Sequence, residues 1–541
     1  MYVEVIKSKQ KQKVYKSVLV RESYREGGKV RHRTIANITR LPDRVIGIIK
    51  QCLSPDGTQD HGHRIELGPT REFGASYAFK ELALQLGLDR IIYSRKTVWR
   101  EHVLAMIVGR IVYQGSKLGL INRYKDTALW ELFGYKRHER PDVGKACYEP
   151  LDQLLRAQPR IQKRLAARHL QDGCLILYDI TNVWLEGEYE FSKLAWYGRG
   201  KNGKRGYKQV AIGLVTNKDG CPIAIELFRG NTSDQKTVKQ QVDRLAKYYK
   251  LKEIIFAGDR GMLTPRRIEE VTEKHYKTLT ALTHPQMMAL LEKRGKGPEL
   301  FDECNIVELT DPDQPEVRYM LCCNPANRER ERAKRTELMA ATNAQLEAIA
   351  RVKRKREKKA VCARVGTVLQ KYKVGKFYDW QVDEIGRLTW QINDELVERE
   401  KALDGCYVVR SSVDKSLMDA RECVESYKRL QHVEKAFRNL KTVSLEMRPF
   451  FHKTDNRIRA HAFICMLAYY IQWHASERLK PLFQADAKGE DRQWSWQRVI
   501  ERLKSISKIS CMVEGSHAFD KISNPDQEQQ RLLNLLEVKT P

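Results

Sequence analysis

No stretch of the 541 residues is apolar over the roughly 18 positions that a membrane span needs. The best candidate, residues 462–473, is interrupted by Tyr469, Tyr470 and Gln472 and reads as a buried helix. The opening MYVEVIKSKQ lacks the apolar centre and small-residue cleavage site of a secretory leader, so a cytoplasmic protein with no membrane contact is expected. Among twelve cysteines there is no C-x-x-C pair, and the only close ones are the adjacent Cys322 and Cys323. That spacing excludes a zinc ribbon and fits reduced, mostly buried thiols without a redox role. Acids are also short: 69 Asp and Glu face 98 Lys and Arg, a formal charge of +29. Such an excess favours a polyanionic partner, nucleic acid first. With 42% apolar residues the chain has ample material for two to four globular domains.

What is present changes character along the chain. The first forty residues carry eleven Lys or Arg against three acids and alternate as strands, VYKSVLVRESY and KVRHRTIANI, around a Gly27-Gly28 turn. A basic hairpin of this kind suits a DNA groove or a solvated edge equally. Residues 55–68 read as a polar linker. Helical periodicity dominates residues 71–170, in FGASYAFKELALQLGL, HVLAMIVGRIVYQG and QLLRAQPRIQKRLAARHL. This predicts a small helical domain that either binds DNA or supports its C-terminal neighbour.

Beyond residue 170 the pattern becomes β, β, β, α, β, α, β: CLILY ending in Asp179, then YKQVAIGLV, PIAIELF, a helix over 236–249, EIIFA ending before Asp259, a second helix and a last strand. In a ribonuclease H-like sheet this order sets the first and fourth strands side by side, making Asp179 and Asp259 neighbours. A strand-terminal Asp alone is more often a turn or cap residue than a ligand. A third acid is supplied by the helix predicted over 425–441. Leu430, Val433, Phe437 and Leu440 form its buried stripe, while Tyr427, Glu434 and Lys441 recur every seven residues along one edge, roughly 10 Å apart. Three carboxylates suit a pair of hard divalent ions. The gap between residues 283 and 421 exceeds any ordinary connection and predicts an inserted domain. Within it runs a helical arm over 328–359 with twelve Lys or Arg against five acids, ending in KRKREKK. RPFFHKTDNRIRAHAFICMLAYYIQWHASERL predicts a second long helix entered at Asp455-Asn456, with His452, Arg457 and His461 near the site end.

YDITNVWLEG, GLVTNKDGCPIAIELFRGNTSD, AGDRGM and the Tyr427–Lys441 segment, with RPFFH and RIRAH, resemble the DDE transposases of bacterial insertion sequences. The likeness is to the cut-and-paste group with a Tyr-x2-Arg-x3-Glu-x6-Lys signature. It implies a ribonuclease H-like catalytic core with a large β-rich insertion carrying a basic helical arm, preceded by a basic β-hairpin and a helical domain. It also implies Asp179, Asp259 and Glu434 as catalytic metal ligands for two Mg²⁺ ions, with Mn²⁺ as a substitute. Tyr427 and Lys441 become DNA contacts, and Arg429, Arg438, His452 and Arg457 are added as further DNA-binding candidates. Leu430 departs from the signature, standing where it has Arg. Arg429, one residue earlier, is rotated by about 100° on a helix, which puts hairpin handling at the ends in doubt.

The expected layout is therefore a hairpin region over 1–54, a helical domain over 71–170, a core in two parts over 171–283 and 421–480, an insertion over 284–420 and a helical tail over 481–541. The expected activity is transposition, in which metal-dependent hydrolysis and strand transfer act on double-stranded DNA at terminal inverted repeats. A homodimer pairing the two ends in a bacterial cytoplasm, at the nucleoid, completes the picture. A structure-directed nuclease without strand transfer and a DNA-binding protein that has lost chemistry are the alternatives.

Overall fold

A computed structural model describes residues 1–541 apart from 11–12, 28, 54–64, 138, 199–205, 294–305, 353–356, 487–492 and 514–516. Gly28 of the expected turn, most of the expected linker and residues 353–356 of the basic run thus lie outside the described residues. The chain divides into two compact units, Met1–Pro69 with Ile509–Lys521, and Thr70–Lys508 with Ile522–Pro541.

In the first unit the expected hairpin is a three-stranded antiparallel sheet. Tyr2–Gln10 pairs with Lys13–Glu26, which pairs in turn with Lys29–Asn37. Val18, Val20 and Ile38 are buried with Ile46 of the helix Asp43–Cys52, while every residue of Lys29–Asn37 is exposed. One apolar face is thus covered, and the basic edge with Lys29, Arg31 and Arg33 faces water.

The second unit is organised around a mixed sheet. Its strands are β1 (Cys174–Trp184), β2 (Lys208–Asn217), β3 (Pro222–Arg229), β4 (Ile254–Ala257), β5 (Lys277–Ala281), β6 (Val307–Asp311), β7 (Gln314–Cys323) and β8 (Cys406–Ser411). They lie in the order β6-β7-β8-β5-β4-β1-β2, with β3 and the two-residue strand Trp196–Tyr197 both paired to β2. β1 and β4 are parallel neighbours, as the order of elements required. The buried runs ILY of β1 and IIFA of β4 are the signature of strands covered on both faces.

Helices cover the sheet. α1 (Val98–Val112), α2 (Glu149–His169) and α7 (Asp455–Arg478) pack on one another, and α7 also packs on β3. α3 (Asp234–Lys247) and α4 (Pro265–Thr272) pair with each other, and the α3 residue Thr237 accepts a hydrogen bond from buried Tyr178. α7 buries residues all round its axis, from Ile458 to Ala475, so it needs apolar partners on every side. That requirement explains why residues 71–170, expected as a separate domain, share one continuous buried cluster with the sheet.

The insertion also differs from expectation. β6, β7 and β8 extend the main sheet instead of building a β-rich domain. What has its own core is largely helical: Pro325–Ala350 and Lys358–Tyr372 pack with the hairpin Tyr378–Val382 and Leu388–Ile392 around Leu346, Ile349, Val365 and Phe377. The tail expected to be helical includes two strands, Ser507–Val513 and His517–Ile522, besides the helices Trp496–Lys504 and Gln527–Leu535. Among the described residues no single helix is long and apolar enough to cross a membrane.

Candidate active site

In the parallel pairing of β1 and β4, Leu177 stands opposite Ala257. Asp179 and Asp259 are each two residues beyond that pair along the chain. β1 does not end at Asp179 as its apolar run suggested. It continues to Trp184, with Asp179 opposite Leu214 of β2, while β4 stops at Ala257. Asp179 therefore sits where its parallel neighbour gives out, half-buried on a strand still held from the other side. Asp259 is exposed in the turn after β4. Its backbone carbonyl accepts from the amides of Met262 (2.9 Å) and Leu263 (3.1 Å), and its Oδ1 from the Arg260 amide (2.8 Å).

The segment carrying the third acid is two helices, not one. α5 (Ala420–Lys428) opens on a capping box between Asp419 and Glu422, and α6 (Leu430–Arg438) follows after Arg429. The Arg429 amide is shared between the carbonyls of Glu425 (3.1 Å) and Ser426 (3.3 Å), which tightens the turn and interrupts the seven-residue ladder. After Arg438 the chain widens into a π-turn over Asn439–Val443. Val433, Ala436 and Phe437 are buried by packing on β1, leaving Glu434 and Arg438 on the exposed rim.

One contact and one electrostatic influence link this segment to the neighbourhood of the strand acids. Lys441 Nζ donates to Thr181 Oγ1, and Thr181 lies two residues from Asp179, on the same face of β1. The Tyr427 phenol is pushed up to about 12, first by burial and then by the negative charges of Asp259 and Glu434, with Arg260 opposing. Tyr427 thus stands within the field of both acids.

The other expected DNA contacts diverge. Arg429 Nη1 lies 3.4 Å from Asp219 Oδ1, at the β2–β3 turn, while Leu430 packs on the core. His452 is buried edge-on to Tyr148 and near His461, and burial, then Lys117, Arg457 and Arg110, push it down to about 3. Arg457 lies over the Tyr148 ring at 4.3 Å and 3.8 Å from Asp152. Sequence reasoning missed Thr181 and Arg260, although Thr181 sits at i+2 from Asp179. It also missed Asp455, whose carboxylate takes Ser192 Oγ and the amides of Lys193 and Leu194, and Arg448, stacked 3.5 Å over Trp184.

The three acids thus come from one sheet and the helix packed on it, Asp179 from β1, Asp259 from the turn after β4 and Glu434 from α6. Residues 170–471, more than half of the chain, match the family model described as the transposase DDE domain, and the chain belongs to that family. Residues 3–54 match the N-terminal domain of IS1634 family transposases. The protein is a transposase of an insertion sequence and works in DNA transposition. Membership implies polynucleotidyl transfer, and the family uses divalent metal ions. The chain is similar to the piggyBac transposase synaptic complex with hairpin DNA, at TM-score 0.36 and 9% identity over 80% of this chain and 75% of that one. It is also similar to the Mos1 transposase paired-end complex with left transposon end, at TM-score 0.15 and 14% identity over 44% and 68%. Both likenesses are distant. Among curated proteins none matches at a significant level.

Proposed function

We propose that Asp179, Asp259 and Glu434 hold two Mg²⁺ ions, for which Mn²⁺ can substitute, and that the chain cuts and joins DNA at the inverted ends of its own element. The single observation that supports this best is the register of the parallel strands β1 and β4, whose last pair, Leu177 with Ala257, precedes each aspartate by two residues. The donor chemistry fits. All three are hard carboxylate ligands, two of them exposed, with a lysine and a tyrosine beside them and no soft donor among them. When bound, such ions supply an activated water or 3′-hydroxyl and stabilise the leaving oxygen.

The chain's own residues do the rest. β1 and β4 fix the spacing of the two aspartates, and the packing of α6 on β1 holds Glu434 at the rim. Lys441, anchored on Thr181, brings a positive charge beside Asp179 where a phosphate would lie. Tyr427, kept protonated by burial and by its acidic neighbours, can donate a hydrogen bond to a phosphate oxygen. Arg438 adds charge on the same exposed rim. Arg429, engaged with Asp219, serves the turn more than the DNA, and His452 and Arg457 order the approach to α7. The exposed basic strand Lys29–Asn37 and the arm Pro325–Ala350 offer phosphate contacts that make binding steeply salt-dependent. A homodimer pairs the ends, acting at the bacterial nucleoid.

The test uses purified protein, DNA carrying the element's end and a plasmid target in Mg²⁺. Replacing Asp179, Asp259 or Glu434 by Ala is expected to abolish cleavage and joining while end binding persists. Substantial strand cleavage by the Asp259→Ala protein sinks the assignment, and cleavage without joined products in the wild type favours a nuclease.

A further inference from the structure

A second group of ligand-type side chains lies in the second unit, at the base of the β2–β3 turn. His169 is the last residue of α2, Cys221 immediately precedes β3, and His474 is near the end of α7. One donor atom from each lies within 4.8 Å of the other two, and among the described residues this is the group of three that meets that spacing.

The local structure that places them is tightly specified. The Cys221 amide donates to Asn217 Oδ1 at 2.9 Å, and its carbonyl accepts from the Asn217 amide at 3.1 Å, so the turn sets the thiol in position. Cys221 is fully buried. The His169 and His474 rings are 5.8 Å apart, and the His474 ring is edge-on to Tyr470 at 4.6 Å and to Trp473 at 4.9 Å. His169 Nε2 is 2.9 Å from the Tyr470 hydroxyl. His474 Nε2 is enclosed and has no hydrogen-bond partner. An enclosed ring nitrogen without a partner, on an imidazole grouped with a thiol and a second imidazole, is what a metal site explains and what an ordinary core avoids.

We infer that His169, Cys221 and His474 bind one thiophilic divalent ion of the Zn²⁺ class. One sulfur and two imidazole nitrogens select such an ion and reject Mg²⁺, which takes oxygen ligands. Burial holds both imidazoles neutral, His169 down to about 4 and His474 to about 3, which is the form that ligates. The Cys221 thiol is pushed up by burial, so binding replaces its proton, which leaves to solvent as the sulfur–metal bond forms. Asp219 and Glu477 are the acids closest in effect to Cys221, with Arg168 opposing them. His169 also lines a wide cleft with Arg168, Asn217 and Lys218, an entry path for the ion and a source of water as fourth ligand. The ion would staple α2, the β2–β3 turn and α7, and its binding is independent of the reading of the three acids.

Co²⁺ added to the full-length, chelator-stripped protein tests this. The expected result is one bound equivalent with a thiolate-to-cobalt absorption band in the near ultraviolet, displaced by Zn²⁺ and not by Mg²⁺, and a melting temperature raised by several degrees. Cys221→Ser is expected to lose the band and the rise, His474→Ala to weaken binding at least tenfold, and Asp259→Ala to keep the band. Absence of the band in the wild type overturns the proposal whatever the variants do, and so does a band that survives Cys221→Ser in a protein of unchanged circular dichroism.

Discussion

The rim bearing Asp179, Asp259 and Glu434 and the layer that encloses Lys117, His452 and His461 handle charge in opposite ways. On the rim, Asp259 and Glu434 are exposed, and each is carried by an element whose other face is buried. In the layer, Lys117 Nζ meets His461 Nδ1 at 3.3 Å, His461 Nε2 faces the Met447 carbonyl at 3.2 Å, and Arg110 spends its donors on the carbonyls of Gly115, Leu445 and Glu446. Burial lowers Lys117 to about 7, His452 to about 3 and His461 well below its ordinary value. Exposed charge is available to an ion or a phosphate. The buried titratable groups are pushed toward their neutral forms, and the bonds of Arg110 and His461 hold residues 445–447 to α1 and α7.

The sharpest way to break the contrast is at the rim. Asp179→Asn removes a charge with little change of shape, and end cleavage is expected to fall by about a thousandfold or more, while gel-shift affinity for end DNA stays within about twofold or improves. In the layer, His461→Leu takes away the acceptor of buried Lys117 and is expected to cost about 3 kcal/mol in urea unfolding, with residual DNA binding unchanged at low temperature.

Acid separates the two regions next. His452 titrates near 3 when folded and near 6.5 when unfolded, so the unfolded chain binds more protons in that window and stability falls as pH drops through it. Lys117 works at the other end: the unfolded chain binds its proton between about 7 and 10.5, so stability rises with pH there. His452→Phe keeps the ring packing and is expected to remove on the order of 2 kcal/mol of the acid loss, visible as a flatter melting temperature between pH 6.5 and 4. The smallest effect belongs to single phosphate contacts. Lys441→Met is expected to lower the salt dependence of end binding by about one unit of slope, and Arg429→Met by less, because Arg429 is engaged with Asp219.

The core topology was legible because it is written in period and order: three antiparallel runs, then crossovers, then strand-end acids. Glu434 was legible as the polar rim of an apolar stripe. What failed did so for physical reasons. The break at Arg429 is a matter of one shared amide, and no propensity marks it. Which sheet the insertion strands Val307–Asp311, Gln314–Cys323 and Cys406–Ser411 join depends on pairing across long loops, which no local pattern displays. His452 and Arg457 read as site residues because polar groups beside a conspicuous helix suggest function. The burial of His452 against Tyr148 and His461, and the seat of Arg457 over the Tyr148 ring, come from packing that sequence spacing does not display.

Iron-directed cleavage tests most directly whether the three acids form one ion site. Fe²⁺ replaces Mg²⁺ in a site of oxygen ligands, and peroxide then cuts the backbone close to the bound ion. A shared site predicts cuts near residues 179, 259 and 434 that excess Mg²⁺ suppresses together. Cuts near 179 and 259 with none near 434, or cuts at all three that Mg²⁺ leaves untouched, would contradict it.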